Sequence, residues 1–251
     1  EMGGEVVVHL ACRDRSRAAL ESAAFGLASE GLTNVLALTG DYPKEGFKGR
    51  SRAVFDIDSV GLTALLRDAS ERGPRFTIGC AINPFKAVEG DLVPQYLKLA
   101  MKARAGADLA ITQVGYDARS WSELLTWNAT TGPGMSLMAS VYVLSTGVAK
   151  VFHRDGVPGI RLSEDLMAWA EEQAAADDKG RAAFLEFAAK QVAVARGMGF
   201  AGAYLAGQRN AAEVDRILRM ADEFEPGWKA VLPDVSFPEP HAHRLFEPGD
   251  L

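Results

Sequence analysis

The amino-acid sequence predicts an α/β protein built from parallel βα units. Short aliphatic or β-branched runs recur along the chain, and longer amphipathic stretches separate them. Because no GxGxxG motif follows a predicted strand, a Rossmann-type sheet is disfavoured, and six consecutive units also fit most of a (β/α)8 barrel. The runs that predict strands span residues 6–10, 35–38, 76–82, 109–112, 137–144 and 201–205.

Capping residues and glycines delimit the predicted helices between these strands. Asp58 is expected to cap the second helix, and glycine follows both of the first two helices. The fourth helix is expected to begin near Asp117 or Ser120, and the sequence GVPGI interrupts a long helical region. The predicted helices span residues 15–29, 58–72, 92–105, 117–127, most of 146–197, and 211–224.

Charge and apolar patterning disfavour two classes of partner. The 251 residues include 27 Lys and Arg against 33 Asp and Glu, a net charge of −6, so no basic surface for nucleic acid is indicated. No apolar run approaches the roughly 18 residues that suggest a membrane span. We therefore expect neither a nucleic-acid nor a membrane partner.

The cysteine and histidine content indicates neither disulfides nor a metal site. Two cysteines, Cys12 and Cys80, are too few for a disulfide framework, and neither has zinc-like CxxC or CxxH spacing. A reducing cytoplasm is therefore the expected compartment. His241 and His243 would hold a metal only with further ligands from elsewhere, so no metal is expected.

Polar side chains lie at or just beyond the C-terminal ends of five predicted strands, and structural alternatives exist for them. Parallel strands bring their carboxyl ends to one face, where catalytic groups gather. A histidine there could be a core residue, whereas Asp, Asn and Gln could simply satisfy turn amides. The five residues are His9, Asp41, Asn83, Gln113 and Tyr142.

The amino-acid sequences at these strand ends resemble one enzyme family. The segments HLACRDRSR (9–17), NVLALTGD (34–41), AGADLAITQ (105–113) and VYVLS (141–145) are similar, in this order, to methylenetetrahydrofolate reductase. The resemblance extends over residues 5–224 and implies a (β/α)8 TIM barrel in which this chain supplies strands three to eight.

The resemblance also implies a domain division and a missing catalytic group. Residues 1–224 would form the barrel reductase domain, and residues 225–251, with five prolines, an irregular extension. Two βα units, on the order of 60 residues, would be absent from the start of the chain. The family's general-acid glutamate lies on the first strand, so no residue of this chain is assigned to it.

The activity implied by the resemblance is flavin-dependent folate reduction. The family reduces 5,10-methylenetetrahydrofolate to 5-methyltetrahydrofolate, and hydride passes from NADH or NADPH through FAD in ping-pong fashion. The expected cofactors are thus FAD with NADH or NADPH as co-substrate. The expected partners are the folate substrate and a second copy of the chain in a homo-oligomer, in one-carbon metabolism and methionine biosynthesis.

Matching the family by position assigns roles to particular residues. Asp41 is expected to bind the pterin, to stabilise positive charge on the folate as the catalytic carboxylate, and to contact flavin. Gln113 and Phe152 are expected to bind folate, although a one-residue shift would put His153 in place of Phe152. The expected flavin contacts are His9, Thr39, Gly40, Asp41, Phe55, Asp58, Asn83 and Lys102.

Three departures from the family pattern keep two other functions open. Thr39 stands where many members have arginine, Asn83 where some have tyrosine, and Gln95 where an aspartate is expected. One alternative is a folate- and flavin-binding subunit that receives electrons from a partner. The other is a flavin-free barrel that transfers a methyl group from folate. The residues do not indicate the physiological direction, which could be reversed in O-demethylation.

Overall fold

A parallel β-sheet with helices between its strands is the architecture of the chain, as the sequence predicts. The computed structural model describes residues 4–43, 48–49, 51–154, 156–208 and 210–247. Within these residues the strands lie side by side in chain order. They are β1 (Val7–Ala11), β2 (Asn34–Leu38), β3 (Thr77–Ile82), β4 (Leu109–Thr112), β5 (Ser136–Tyr142) and β6 (Gly202–Ala206).

The pairings of β1 with β2, β2 with β3 and β5 with β6 are parallel. In β1 and β2, Val7 pairs with Asn34 and Ala11 with Leu38. Strand β2 continues in parallel with β3, and β5 pairs in parallel with β6 up to Tyr142 opposite Ala206. Paired strands therefore end at the same edge, so the loops that follow them are neighbours.

The observed helices agree with most of the helices predicted from the sequence. The predicted region 146–197 is interrupted twice rather than once, because residues 174–180 also leave the helix and Lys179 and Gly180 adopt positive φ. None of the helices in the described part of the chain is long and apolar enough to cross a membrane. The helices are α1 (Arg17–Ser29), α2 (Ser59–Arg72), α3 (Glu89–Arg104), α4 (Ala118–Thr130), α5 (Thr146–His153), α6 (Glu164–Gln173), α7 (Arg181–Met198) and α8 (Ala211–Phe224).

The chain divides into two compact units. The first comprises residues 1–82 and 96–110, and the second comprises residues 83–95 and 111–251. Residues 1–3 of the predicted barrel and 248–251 of the predicted extension lie outside the described residues.

Alternation along the strands separates the two faces of the sheet in the first unit. Leu10, Val35 and Ile78 belong to one apolar core with Leu20 of α1 and Leu62 of α2. Because successive side chains of a strand point to opposite faces, the residues between these core positions point away from the helices. The helices therefore cover one face and leave the other for the strand-end residues.

The second unit has a core rich in aromatic rings. Phe187 of α7 lies with its ring centroid 4.9 Å from that of Trp169 and 6.0 Å from that of Tyr116. Phe237, from the C-terminal segment, lies 6.0 Å from Phe187 and 6.4 Å from Trp169. The C-terminal segment thus contributes to the packing of this unit.

The C-terminal segment is partly helical and is hydrogen-bonded to the second unit. Short helical segments cover residues 225–235, including α9 (Trp228–Val231), whereas residues 236–247 form neither helix nor strand. The Phe237 amide donates to the Tyr116 carbonyl at 2.6 Å, and the Leu245 amide donates to Glu123 Oε2 at 3.0 Å. The predicted irregular structure therefore applies to residues 236–247.

Arg244 gives the clearest test of how firmly this segment is attached. Its guanidinium donates to Asp117 Oδ2 at 2.6 Å and to Ser120 Oγ at 3.1 Å. We expect Arg244→Ala to lower the free energy of unfolding by about 1.5–3 kcal/mol, because Asp117 is buried and loses a charged partner. Urea denaturation measures this difference.

Arg219→Ala is the matched control. Arg219 pairs with Asp215 on the exposed surface of α8, where such pairs contribute about 0.3–0.5 kcal/mol. Equal destabilisation by the two substitutions would contradict the role assigned to Arg244.

Candidate functional site

The predicted site residues fall into two groups, one in each compact unit. The first unit holds His9, Thr39, Gly40, Asp41, Phe55, Asp58 and Lys102. The second unit holds Asn83, Gln113 and Phe152.

The start of α2 joins two of the predicted residues of the first unit. Asp58 caps this helix, because its Oδ1 accepts from the amides of Val60 at 3.0 Å and Gly61 at 3.1 Å. Thr39, in the loop after β2, accepts from the Ser59 amide at 3.1 Å through its Oγ1. The predicted cap is confirmed, and Thr39 is fixed against the helix that Asp58 begins.

Lys98 of α3 forms an ion pair with the Asp58 carboxylate. Its Nζ lies 2.9 Å from Asp58 Oδ2. Partial burial opposes ionisation of Asp58, but the Lys98 ammonium and the amides of Gly61 and Val60 hold the pKa of the carboxyl below its ordinary value. Asp58 is therefore a carboxylate at neutral pH.

Lys102, one helical turn beyond Lys98, is a buried cation. Only 7% of the residue is exposed, and Nζ donates to the Ala81 carbonyl at 2.6 Å. Burial lowers the pKa of this ammonium, and the nearby Lys98 charge acts in the same direction. Since an ammonium has three N–H donors, one carbonyl leaves two donors that no described residue accepts.

Position 40 requires glycine because of its backbone conformation and because neighbouring side chains leave no room for a Cβ. Its φ of +85° lies in the left-handed region, and a Cβ at this position would lie 2.9 Å from the Cβ of Arg13 and 3.3 Å from that of Ala11. The turn after β2 thus packs closely on the end of β1. Asp41, the next residue, has an exposed side chain.

His9 lies on the sheet face away from the helix-packed core. It pairs with Leu36 across β1 and β2, whereas its neighbour Leu10 belongs to that core. Its side chain is exposed, so it is not the buried core histidine that the sequence left open. This placement is compatible with a ligand contact.

Phe55 has a conformation that is rare for an aromatic residue. Its φ is +42°, and its ring meets that of Tyr42 edge-on with centroids 5.1 Å apart. Such a backbone costs of order 1–3 kcal/mol and occurs preferentially at functional sites. An open cavity of about 650 Å³ lies beside these rings and Arg52.

Asn83 and Gln113 of the second unit both face Gly159. Asn83 Nδ2 donates to the Gly159 carbonyl at 2.8 Å, and its Oδ1 accepts from the Phe85 amide at 3.0 Å. A Cβ on Gly159, whose φ is +79°, would lie 3.0 Å from Asn83 Nδ2 and 3.5 Å from Gln113 Nε2. Gln113 Oε1 accepts from the Val114 amide at 2.9 Å, which leaves its NH₂ group without an acceptor among the described residues.

Phe152 is a packed core residue in this structure. It is 4% exposed, and its ring meets that of Tyr142 edge-on at 5.2 Å. The neighbouring His153 is half-buried, with Nδ1 3.0 Å from the Leu162 carbonyl oxygen. The proposed stacking of Phe152 on folate stays a prediction, and its burial does not add support.

Neither cysteine is placed for nucleophilic chemistry. Burial raises the pKa of Cys12 to about 11, and the Asp58 carboxylate adds to this shift. Burial also raises the pKa of Cys80 to about 11. Both thiols are therefore neutral at physiological pH. Within the described residues, no group of three or more His, Cys, Asp or Glu side chains could hold a metal ion.

Lys98 is the residue of this site that the sequence prediction missed. A lysine in the middle of an amphipathic helix is normally interpreted as a solvent-exposed charge. Its spacing of four residues from Lys102 places both on neighbouring turns of one helix face, and that spacing could have identified it.

The charged form of Asp58 gives a pH-dependent prediction. Because its folded pKa lies below the unfolded value of about 3.9, its charge stabilises the fold above that pH. We expect the stability difference between the wild type and Asp58→Asn to disappear as pH falls through the folded pKa. Asp58→Ala should cost about 1 kcal/mol more than Asn, since Asn retains a capping oxygen.

Urea denaturation between pH 2.5 and 7 tests this prediction. Asp68→Asn, on the exposed face of the same helix, controls for the loss of one surface carboxylate. A pH-independent difference for Asp58→Asn would contradict the assigned charge state.

Comparison with known proteins identifies the relatives of this chain. The family model described as methylenetetrahydrofolate reductase matches residues 1–220. The chain is 30% identical over 148 residues to the 5,10-methylenetetrahydrofolate reductase of Pectobacterium carotovorum subsp. carotovorum, covering 57% of this chain and 45% of that protein. It is 33% identical over 124 residues to the Salmonella typhimurium enzyme of the same name, covering 47% and 37%. The chain thus spans less than half the length of these curated relatives.

A solved structure supports the fold. An uncharacterized protein from Clostridium thermocellum, which binds two copies of 5-methyl-5,6,7,8-tetrahydrofolic acid, matches with a TM-score of 0.53 at 9% sequence identity. The match covers 88% of this chain and 72% of that chain. At this identity the likeness shows the α/β fold alone.

Proposed function

Because the chain belongs to the methylenetetrahydrofolate reductase family, we propose that it binds FAD and reduces 5,10-methylenetetrahydrofolate to 5-methyltetrahydrofolate. NADH or NADPH would be the co-substrate, and the two half-reactions would alternate in ping-pong fashion. The sixfold repetition of parallel strands in chain order supports a barrel in which these are strands three to eight.

The buried ammonium of Lys102 is the observation that carries the flavin assignment. Two N–H donors without acceptors among the described residues, in a position that is 7% exposed, are available to an anionic or polar ligand. The diphosphate of FAD would supply several acceptor oxygens. When bound, the flavin supplies hydride transfer between nicotinamide and folate.

Other residues of the first unit would orient the flavin. His9 lies on the uncovered face of the sheet, and the Thr39–Gly40 turn is held in place by the start of α2 and the end of β1. Phe55, beside an open cavity, offers an aromatic ring to a planar group. Asp58 would act through the helix it caps and through its contact with Lys98.

Folate recognition is assigned to an amide and a carboxylate. The NH₂ group of Gln113 has no acceptor among the described residues, and its oxygen is fixed by the Val114 amide. A pterin edge offers acceptors to such a donor. Asp41 has an exposed carboxylate that would bind the ring and stabilise the positive charge that develops on the folate.

Two further properties are part of the proposal. Two buried, free cysteines are consistent with a cytoplasmic protein. We also propose a homo-oligomer and a place in one-carbon metabolism that supplies methyl groups for methionine.

An anaerobic visible spectrum of the full-length protein tests the proposal. Flavin absorbance should bleach with NADH or NADPH and return when methylenetetrahydrofolate is added. Flavin that does not respond to either nicotinamide would contradict independent reduction and favour a partner-fed subunit. A colourless protein that FAD does not reconstitute would contradict the flavoenzyme assignment and favour flavin-free methyl transfer.

Substitution of Asp41 separates the two half-reactions. We expect Asp41→Asn to slow flavin reoxidation by the folate at least about tenfold, because the amide no longer stabilises positive charge. Flavin reduction by nicotinamide should slow less. Stopped-flow absorbance measures both steps, with the exposed Asp14→Asn as control. Equal slowing of both steps would rule out the pterin role of Asp41.

A further inference from the structure

The loops that follow β3 and β4 are packed directly against each other. A Cβ at Gly115 would overlap the ring of Phe85, so this ring lies against the backbone of the second loop. The two loops begin with Asn83 and Gln113, whose side-chain amides both approach Gly159. The conformation of one loop therefore constrains that of the other.

The C-terminal residues 236–247, here called the strap, are hydrogen-bonded to both loops. The Phe237 amide donates to the Tyr116 carbonyl, in the loop after β4, at 2.6 Å. The His243 amide donates to the Ala87 carbonyl, in the loop after β3, at 2.8 Å. These two bonds attach the strap to each loop within four residues of its start.

Side chains of the strap also fix the start of α4. Arg244 donates to Asp117 Oδ2 at 2.6 Å, and Asp117 Oδ1 caps α4 by accepting from the Arg119 amide at 3.0 Å. The Ala118 amide, at the same helix start, donates to Ser236 Oγ at 3.2 Å. Asp117 is the last residue of the loop after β4, so the strap holds the far end of that loop.

The strap lines a cavity next to these loops. Glu239 and Pro240 line this cavity, of about 240 Å³, together with Arg161. A second cavity, of about 340 Å³, is lined by Arg161, Gly159 and residues 85–88. Because one arginine lines both cavities, the strap lies close to the space beside Gly159.

We propose that the strap is a positioning element of the folate site, and that Arg244 is a positioning residue that acts through Asp117 on the loop carrying Gln113. This inference rests on the proposed function, in which the Gln113 amide binds folate. Neither loop forms a helix or a strand, so contacts from outside fix their conformation. Without the strap, only a fraction of the molecules would hold both loops in the binding conformation. The alternative is that the strap only stabilises the fold.

Binding of 5-methyltetrahydrofolate to the full-length protein, measured by calorimetry, separates these alternatives. We expect Arg244→Ala to raise the dissociation constant about tenfold, as when about one tenth of the molecules are competent to bind. Arg244→Lys should retain most of the affinity, because its ammonium still pairs with Asp117. The rate of flavin reduction by NADH or NADPH should not change, since the proposed flavin contacts lie mainly in the first unit.

The matched control is Arg67→Ala in the first unit. Arg67 donates to the Gly106 carbonyl at 2.5 Å and to Asp108 Oδ1 at 2.8 Å, so this substitution also removes a side chain that anchors a loop. It should leave the affinity for 5-methyltetrahydrofolate unchanged. All affinities are measured at a temperature at which circular dichroism shows each variant to be folded.

Hydrogen exchange detected by mass spectrometry follows the two loops directly. In the absence of folate, residues 83–88 and 113–117 should exchange faster in Arg244→Ala than in the wild type. The Arg67→Ala variant should show the wild-type exchange in both segments.

Three results would overturn the positioning role. They are an unchanged affinity in Arg244→Ala, an equal loss of affinity in Arg67→Ala, and a loss of affinity in Arg244→Ala without faster exchange in the loops. If Arg244→Ala weakens binding as expected but methylenetetrahydrofolate does not reoxidise the wild-type flavin, the positioning role is supported and the proposed reductase function is overturned. A wild type that does not bind 5-methyltetrahydrofolate would overturn both.

Discussion

The parallel direction of the strands is the constraint on which the rest of the structure depends. In the first unit, β1, β2 and β3 run side by side in the same direction, so their carboxyl ends and following loops share an edge. The turn at Gly40 consequently packs on the end of β1, and Thr39 reaches the start of α2. The helices cover the other side of these strands, so polar groups at the edge remain available for ligands.

At that edge, the properties of the first unit depend mainly on its charged side chains. Lys102 is held in a low-dielectric position by a carbonyl group, and Asp58 fixes Lys98 one turn away. Burying a cation with incomplete hydrogen bonding costs free energy unless a ligand completes it. If flavin binds there as proposed, its diphosphate would stabilise this corner, so the stability of the fold would rise with flavin concentration.

Local signals in the sequence predicted the strands, the cap at Asp58 and the last long helix, because each depends on periodicity or on a residue adjacent in the chain. The second interruption of the long helical region was not predicted, since it depends on left-handed backbone at Lys179 and Gly180. Contacts between distant residues were also missed. Arg244 binds Asp117 and Lys98 binds Asp58, and neither pairing follows from the sequence spacing.

The central claim is that the first unit binds flavin through its strand-end loops and Lys102 of α3. A crystal structure of the full-length protein with FAD tests it most directly. The account predicts diphosphate oxygens within hydrogen-bonding distance of Lys102 Nζ. FAD bound with Lys102 still in contact only with the Ala81 carbonyl would contradict the account.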